Sequence, residues 1–391
     1  MAGDGLPVVR VGVLGLLTIA AYGSWYYSFG VLLDPIIADT GWGETFVTSV
    51  FAASIMLGGI GSVLGGLVLD RFGSRSVFGA GAVLGLAAFT IATAASSPWV
   101  FAVAAASGGA TFAALGFYHI TQTVAARISP GAPHRAIAVL TMWGAFASVL
   151  YLPVSAWLVG WLGWRTTLRA VTWSAVVALL VAAWAVDTRT ATMPSVREVV
   201  SVLRRAFADR STRSYVVAVA CLGIGIETIL VYQVPAMTGA GLALTTASAW
   251  AGVRGAAQLG GRLPLAWVVR RVGTVGAQRL AIASMVVGML ALSVAGTPVL
   301  AAVYAVFAGV GIGASSPLQG MHAHRLFGDA ALGAALGSLS LVFMVGGAIG
   351  PAVAGWVATG TGSRSLPVLA AAGVTAMALW FIRPVPDMAG R

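Results

Sequence analysis

Twelve apolar stretches joined by short connections constrain this 391-residue chain more than any other feature, with 59% of its residues hydrophobic and 8% charged. A membrane-crossing helix needs about 20 mostly apolar residues, because the hydrocarbon core is ~30 Å thick and each residue rises ~1.5 Å. In the first half the stretches are Arg10–Ile36, Glu44–Leu69, Ser76–Ala95, Trp99–Ile128, Ala136–Trp161 and Thr166–Val186. In the second they are Tyr215–Met237, Thr246–Val269, Gln278–Ala295, Val299–Leu326, Leu332–Thr359 and Leu366–Ile382. The pattern predicts an all-α membrane protein with twelve transmembrane helices. Turn signals such as Ser97–Pro98 and Ser129–Pro130–Gly131 fall between stretches. Met1–Val9 carries no basic residue, so the first stretch reads as a retained helix and not as a signal peptide.

All 22 basic residues are arginines, against 11 acids, for a formal net charge of +11. In a soluble domain that excess would suggest nucleic acid. Here the arginines flank apolar runs, so they read as orientation signals, and no nucleic-acid partner is expected. Alternate connections on one side hold Arg71, Arg75, Arg127, Arg135, Arg270, Arg271, Arg279 and Arg325, together with the central linker and the C-terminus. The other side holds Arg165, Arg169 and Arg364 beside Asp34, Asp39 and Glu44. Positive residues mark the cytoplasmic face, which puts both termini in the cytoplasm. The Arg-only, Ala- and Gly-rich composition suggests a bacterial inner membrane. A single cysteine, Cys221, excludes an internal disulfide and a Cys-cluster metal site, and the four histidines form no HExxH pattern. No metal or cofactor is expected.

The longest polar stretch is central. It divides the chain into an N-terminal bundle (1–187), a cytoplasmic linker (188–213) and a C-terminal bundle (214–391). Within the linker, Ser195-Val-Arg-Glu198 reads as a capping box, and Val196, Val199, Val200, Leu203 and Phe207 recur at helical spacing. A short amphipathic helix on the membrane surface is expected there. The bundles read as diverged copies. Asp70-Arg71-Phe72-Gly73 is echoed by Arg270-Arg271-Val272-Gly273, Pro153 and Trp157 by Pro351 and Trp356, and Arg165 by Arg364. Two pseudo-symmetric six-helix repeats are the architecture of a rocking transporter, with substrate held near mid-bilayer between them.

Gly65-Gly66-Leu67-Val68-Leu69-Asp70-Arg71-Phe72-Gly73-Ser74-Arg75 resembles the loop motif of the major facilitator superfamily, and the echo at Gly273 stands where that family repeats it. Tyr27-Ser28-Phe29-Gly30-Val31-Leu32-Leu33 with Thr40-Gly41-Trp42-Gly43 resembles the first helix of monocarboxylate-transporter-like and oxalate/formate-antiporter-like members. Gly163-Trp164-Arg165, Gly260-Gly261-Arg262 and Gly346-Gly347-Ala348-Ile349-Gly350-Pro351 are similar to the same groups. The resemblance implies the superfamily fold, alternating access and a conformational gate at Gly66, Asp70, Arg71, Gly73 and Arg75. Independently, a carboxylate at a helix end can pair with arginines or a neighbouring helix N-terminus, and Gly73 permits a sharp turn.

Charges inside the hydrocarbon are costly, at least ~2.5–3.5 kcal/mol each, and so mark function. Glu227 lies in the seventh stretch, Arg254 and Arg262 in the eighth. Glu227 and Arg254 are expected at similar depth, as a coupling or static ion pair, leaving Arg262 without a fixed partner. A guanidinium grips a carboxylate through two parallel hydrogen bonds, which points to an organic anion. Gln258, one turn before Arg262, can share that ligand. The resemblance agrees, since carboxylate transporters carry an arginine where Arg262 falls. Tyr27, Tyr118 and His119 are further substrate-site candidates, with Gln122 beside them. His119 is a possible proton carrier or an interhelical structural histidine. Tyr27 stands where animal monocarboxylate transporters have a lysine, so that lysine's coupling role does not transfer. The resemblance places a cationic residue in the eleventh stretch of oxalate/formate antiporters, and Leu341–Thr359 contains no base, which disfavours a doubly charged substrate gripped from both halves unless Arg254 substitutes. His322 and His324 read as solvated residues at the end of the tenth stretch.

These readings predict a monomeric secondary transporter for a small, monocarboxylate-like anion, with a coupling proton or counter-anion and the lipid bilayer as its other partners. Efflux of a drug-like molecule is the alternative, disfavoured because the arginine motif of drug/proton antiporters is missing from the fourth stretch. A non-transporting sensor would need an output domain. An intramembrane enzyme would need a nucleophile–base or metal constellation. Neither is present.

Overall fold

The computed structural model describes residues 7–188, 197, 200–201, 204, 208–327 and 332–383, and among these no strand occurs. The chain divides into two compact units, Met1–Met193 and Pro194–Arg391. In unit 1, α1 (Val8–Ala21), a π-helical stretch (Tyr22–Tyr27) and α2 (Phe29–Thr40) form the first span. The long α3 (Glu44–Ala94) holds the second and third, and α4 (Pro98–Gly116) with α5 (Tyr118–Ile128) makes the fourth. The fifth and sixth occupy α6 (Pro133–Gly144) and α7 (Phe146–Ala185). Unit 2 comprises α8 (Arg210–Gly239), α9 (Leu244–Arg262), α10 (Leu265–Ser293), α11 (Pro298–Phe327), α12 (Leu332–Thr361) and α13 (Ser365–Phe381). Splitting α3, α7 and α10 at their internal turns gives twelve spans among the described residues. The proposed linker helix lies outside the described residues apart from isolated positions.

Three of the predicted connections shrink to a single residue. Gly73 (φ 78°, ψ 162°), Gly163 (φ 70°, ψ 171°) and Gly273 (φ 72°, ψ 171°) reverse the chain between otherwise uninterrupted helices. That region of backbone space is essentially restricted to glycine, because a Cβ would clash. The left-handed glycines pair across the units as Gly41 with Gly241, Gly73 with Gly273 and Gly163 with Gly362, spaced by 200, 200 and 199 residues. In-helix prolines repeat as Pro35 with Pro235 and Pro153 with Pro351. Packing repeats as well. The second and fourth spans meet as α3 and α4, and the eighth and tenth as α9 and α11. The first and fifth meet through α1 and α7, and the seventh and eleventh as α8 and α12.

Close approach of spans rests on small residues. A Cβ added at Gly58 would stand 2.6 Å from the Ala113 Cβ, and one at Gly288 would stand 2.5 Å from the Ala308 nitrogen. Large apolar side chains line the outside, including Trp99, Trp161, Trp184 and Trp380 near span ends, as aromatic anchors at membrane interfaces do.

Three expectations about the spans need correction. The fourth is broken, since Phe117 takes an extended conformation (φ −78°, ψ 167°) between α4 and α5. The eighth is interrupted before it reaches Val269: α9 stops at Arg262, and the span resumes as the first arm of α10 after Pro264, which has no N–H to continue a helical ladder. His322 is not solvated. It is 1% exposed, its Nδ1 lies 3.1 Å from the Leu318 carbonyl oxygen, and its ring stacks on Tyr215 at 4.8 Å. The His324 side chain lies outside what the structure describes.

Candidate functional site

Arg254 and Arg262 of unit 2 sit where the eighth span packs against the seventh and tenth, and Glu227 sits where the seventh packs against the eleventh. Glu227 of α8 is 2% exposed and Arg254 of α9 is fully buried. The Glu227 side chain lies against Gly347 of α12, where an added Cβ would fall 2.5 Å from its Cγ, so a glycine leaves the carboxylate its room. Arg254 Nε donates to Gln233 Oε1 at 3.0 Å, and the Tyr304 hydroxyl donates to the same oxygen at 2.7 Å. Gln233 and Tyr304 are themselves buried on α8 and α11, so one carboxamide oxygen joins three spans and fixes the arginine's direction. A charge-assisted hydrogen bond in such surroundings is stronger than a neutral one.

Arg262 differs from the isolated guanidinium expected. It closes α9 at the break before Pro264, its side chain is half-buried, and its Nε donates to the Gly313 carbonyl oxygen at 3.3 Å. An Nη2 hydrogen bond of 3.3 Å reaches Gln258 Oε1, so the predicted neighbour one turn earlier is a direct partner. Backbone of α11 comes this near because Gly313 lacks a Cβ, which would stand 2.6 Å from the Gln258 Cα. The structure therefore brings Arg262 and Gln258 together, with Arg254 two turns back on the same helix.

Unit 1 presents a cluster of aromatic rings around the irregular stretches of its first and fourth spans. The π-helical stretch inserts an extra residue into the first span, a device frequent at functional sites, and turns Tyr22, Tyr26 and Tyr27 among their neighbours. Tyr22 stacks on Phe117 at 3.8 Å and lies 5.2 Å from Tyr118, while Tyr26 and Tyr27 meet edge to face at 5.1 Å. Trp25 faces the other way, donating from Nε1 to Ser54 Oγ at 2.9 Å. The break at Phe117 frees Tyr118 to donate to the Thr141 carbonyl oxygen at 3.0 Å, and Gln122 Nε2 to donate to Thr141 Oγ1 at 2.9 Å. His119 lies on the same turn, with its ring 6.4 Å from that of Phe117.

The residues predicted to form the gate lie in and just before the turn between the second and third spans. Gly66 is buried, Arg71 is exposed with its guanidinium 5.3 Å from the Phe72 ring centre, and Arg75 Nε donates to the Ala183 carbonyl oxygen at 3.3 Å. The Asp70 side chain lies outside what the structure describes. On the opposite side of unit 1, Asp39 accepts hydrogen bonds from the Trp164 indole at 2.9 Å and from Arg165, with which it forms an ion pair.

Gln233, Tyr304, Tyr22 and Tyr26 were not singled out from sequence. A glutamine inside an apolar stretch was the one available signal, while π-helical geometry has no local signature.

The chain is similar in fold to solved structures of the nucleoside transporter NupG (13% identity, TM-score 0.79, covering 96% of this chain and 97% of that one) and of a D-xylose-proton symporter (15%, 0.74, 98% and 99%). An auto-inhibited POT family peptide transporter is similar at 12% identity and TM-score 0.71, covering 98% and 99%. No curated protein matches the chain in sequence. The family model described as Major Facilitator Superfamily matches residues 14–319. Twelve helical spans in repeated sets, glycine-only turns at the family's loop motif and that match lead to one conclusion: the chain belongs to the Major Facilitator Superfamily and is a multi-pass membrane transporter, not an enzyme.

Proposed function

We propose that this transporter moves a small organic anion of the monocarboxylate class by alternating access, with a proton or a counter-anion coupled to the movement. One observation carries the reading. At positions where unit 1 has Tyr27, Ser54 and Ser62, unit 2 has Glu227, Arg254 and Arg262, so its span-lining chemistry keeps one positive charge beyond its acid. Such a charge is expensive inside a membrane protein unless function uses it. Arg262, with Gln258 beside it, receives the carboxylate. Arg254 and Glu227 balance one another and form the coupling pair, held from behind by Gln233 and Tyr304. Tyr27, Tyr118 and His119 of unit 1 contribute hydroxyl, ring and imidazole contacts to the uncharged part of the cargo. The loop motif gates the conformations, and the protein acts as a monomer in a bacterial plasma membrane.

Thermal-shift measurements on the purified protein test this with monocarboxylates, dicarboxylates, sugars, nucleosides and lipophilic cations. Carboxylates are expected to raise Tm in the native protein and to have no effect on Arg262→Ala, with Arg262→Lys intermediate. Stabilisation by lipophilic cations alone would replace this reading with drug efflux, and an unaltered carboxylate response in Arg262→Ala would remove Arg262 from the site.

A further inference from the structure

On the arginine-rich side of unit 2, a groove of about 600 Å³ lies between the start of the ninth span and the end of the twelfth, lined by Arg279, Leu379, Trp380 and Arg383. Both arginines are exposed, and Trp380 is 82% exposed beside them. Arg279 is not a loose surface cation. Its Nη2 donates to the Ile382 carbonyl oxygen at 2.9 Å, and the Ser214 hydroxyl donates to the Phe381 carbonyl oxygen at 2.8 Å, so the end of α13 is tied down beneath the groove. Asp209, the acid at the start of α8, commits Oδ2 to the Thr212 N–H at 2.8 Å and to the Thr212 hydroxyl at 3.0 Å.

The other unit supplies an internal control. There Arg75 bonds the carbonyl end of the sixth span beside Trp184, which is 80% exposed. Three residues after that tryptophan stands Asp187, where unit 2 has Arg383 three residues after Trp380. Asp187 Oδ1 would lie 3.8 Å from a Cβ at Gly73, so the carboxylate sits at the turn. One copy of the corner is thus charge-balanced, and the other carries two guanidinium groups.

We infer that the groove between α10 and α13 binds the phosphate of an anionic phospholipid. Arg279 and Arg383 hold the phosphate oxygens, as guanidinium groups do, while Trp380 and Leu379 lie along the first part of an acyl chain. The arginine-rich side faces the cytoplasm, whose leaflet is where anionic lipids attract basic residues. Free phosphate shares the headgroup chemistry but has no chain to lay against Trp380.

The full chain, purified in detergent, is titrated with phosphatidylglycerol, phosphatidylcholine or inorganic phosphate, and bound molecules are counted by native mass spectrometry. Saturable retention of phosphatidylglycerol is expected, weakened about fivefold by Arg383→Gln and about fivefold more by adding Arg279→Gln. Arg210→Gln, a charge-matched control on α8, should leave retention unchanged. Because Arg279 also secures the end of α13, Arg383→Gln is the deciding variant, with its Tm in lipid-free detergent measured alongside. Equal retention of phosphatidylcholine, an equal loss in Arg210→Gln, or unchanged binding in Arg383→Gln would each overturn the site. Displacement of the lipid by millimolar inorganic phosphate would reassign it to a small anion and overturn the lipid claim.

Discussion

The two units are built on one plan and carry different chemistry. At equivalent places in the second and eighth spans stand Ser54 and Arg254, Gly58 and Gln258, Ser62 and Arg262, and Leu64 and Pro264. Ser54 receives the Trp25 indole, so unit 1 fills its interior with a ring. Arg254 reaches Gln233 instead, so unit 2 fills the same place with a charge. Bulk has also changed sides. Gly58 faces Ala113 in unit 1, and in unit 2 the large residue is Gln258 and the glycine is Gly313. Turn glycines and in-helix prolines hardly differ, which teaches that the backbone plan tolerates an exchange of interior chemistry provided that volumes are traded across the contact.

The largest effect should come from erasing that difference at its most buried point. Arg254→Ser makes unit 2 resemble unit 1, but it leaves Gln233 Oε1 without its charged donor and removes half of the proposed coupling pair. Transport is expected to fall at least a hundredfold, with a stability loss of about 2–3 kcal/mol, read from initial rates in proteoliposomes and from unfolding in detergent. Gly313→Ala comes next. Its new methyl group meets Gln258 backbone, so the eighth and tenth spans must separate at a cost of about 1–3 kcal/mol, whereas Ala113→Ser at the matching place in unit 1 should cost less.

Pro264→Leu sharpens the comparison by joining α9 to α10 as α3 is joined at Leu64. Stability should change by less than about 1 kcal/mol, while KM for the proposed carboxylate cargo rises, because Arg262 no longer closes a helix at a break. Unaltered KM would show that the break does not position Arg262. A smaller effect concerns the entries of the two units. Asp209 caps α8 through Thr212, while α1 begins at Pro7 without a side-chain cap. Backbone and side-chain hydrogen bonds from Thr212 hold the Asp209 carboxyl below its ordinary value. Its contribution is therefore complete above about pH 4 and is lost as pH falls through the lowered native value. Asp209→Ala should cost about 1 kcal/mol near neutrality and nothing in strong acid, as followed by hydrogen exchange at the start of α8.

Much of this plan was legible from residue order. Apolar runs of membrane-spanning length identify the spans, because a bilayer leaves a helix few alternatives. The echo of Gly73 at Gly273 predicted a shared turn, since only glycine suits the backbone found there. The break at Arg262 was signalled by Pro264 two residues later, but hydropathy ran across it and concealed the interruption. Distant contacts were less visible. That Arg254 meets Gln233, and that Gln233 also accepts from Tyr304, depends on the azimuth of three packed helices, which a single chain's periodicity does not fix. The same limit explains His322, whose place near a span end suggested water while Tyr215 of another span covers it.

The turns at Gly73, Gly163 and Gly273 have a consequence for biogenesis. A connection with a single non-helical residue leaves little slack between successive segments, so each such pair is expected to enter the bilayer together as a hairpin. It equally denies proteases and antibodies a purchase at those corners.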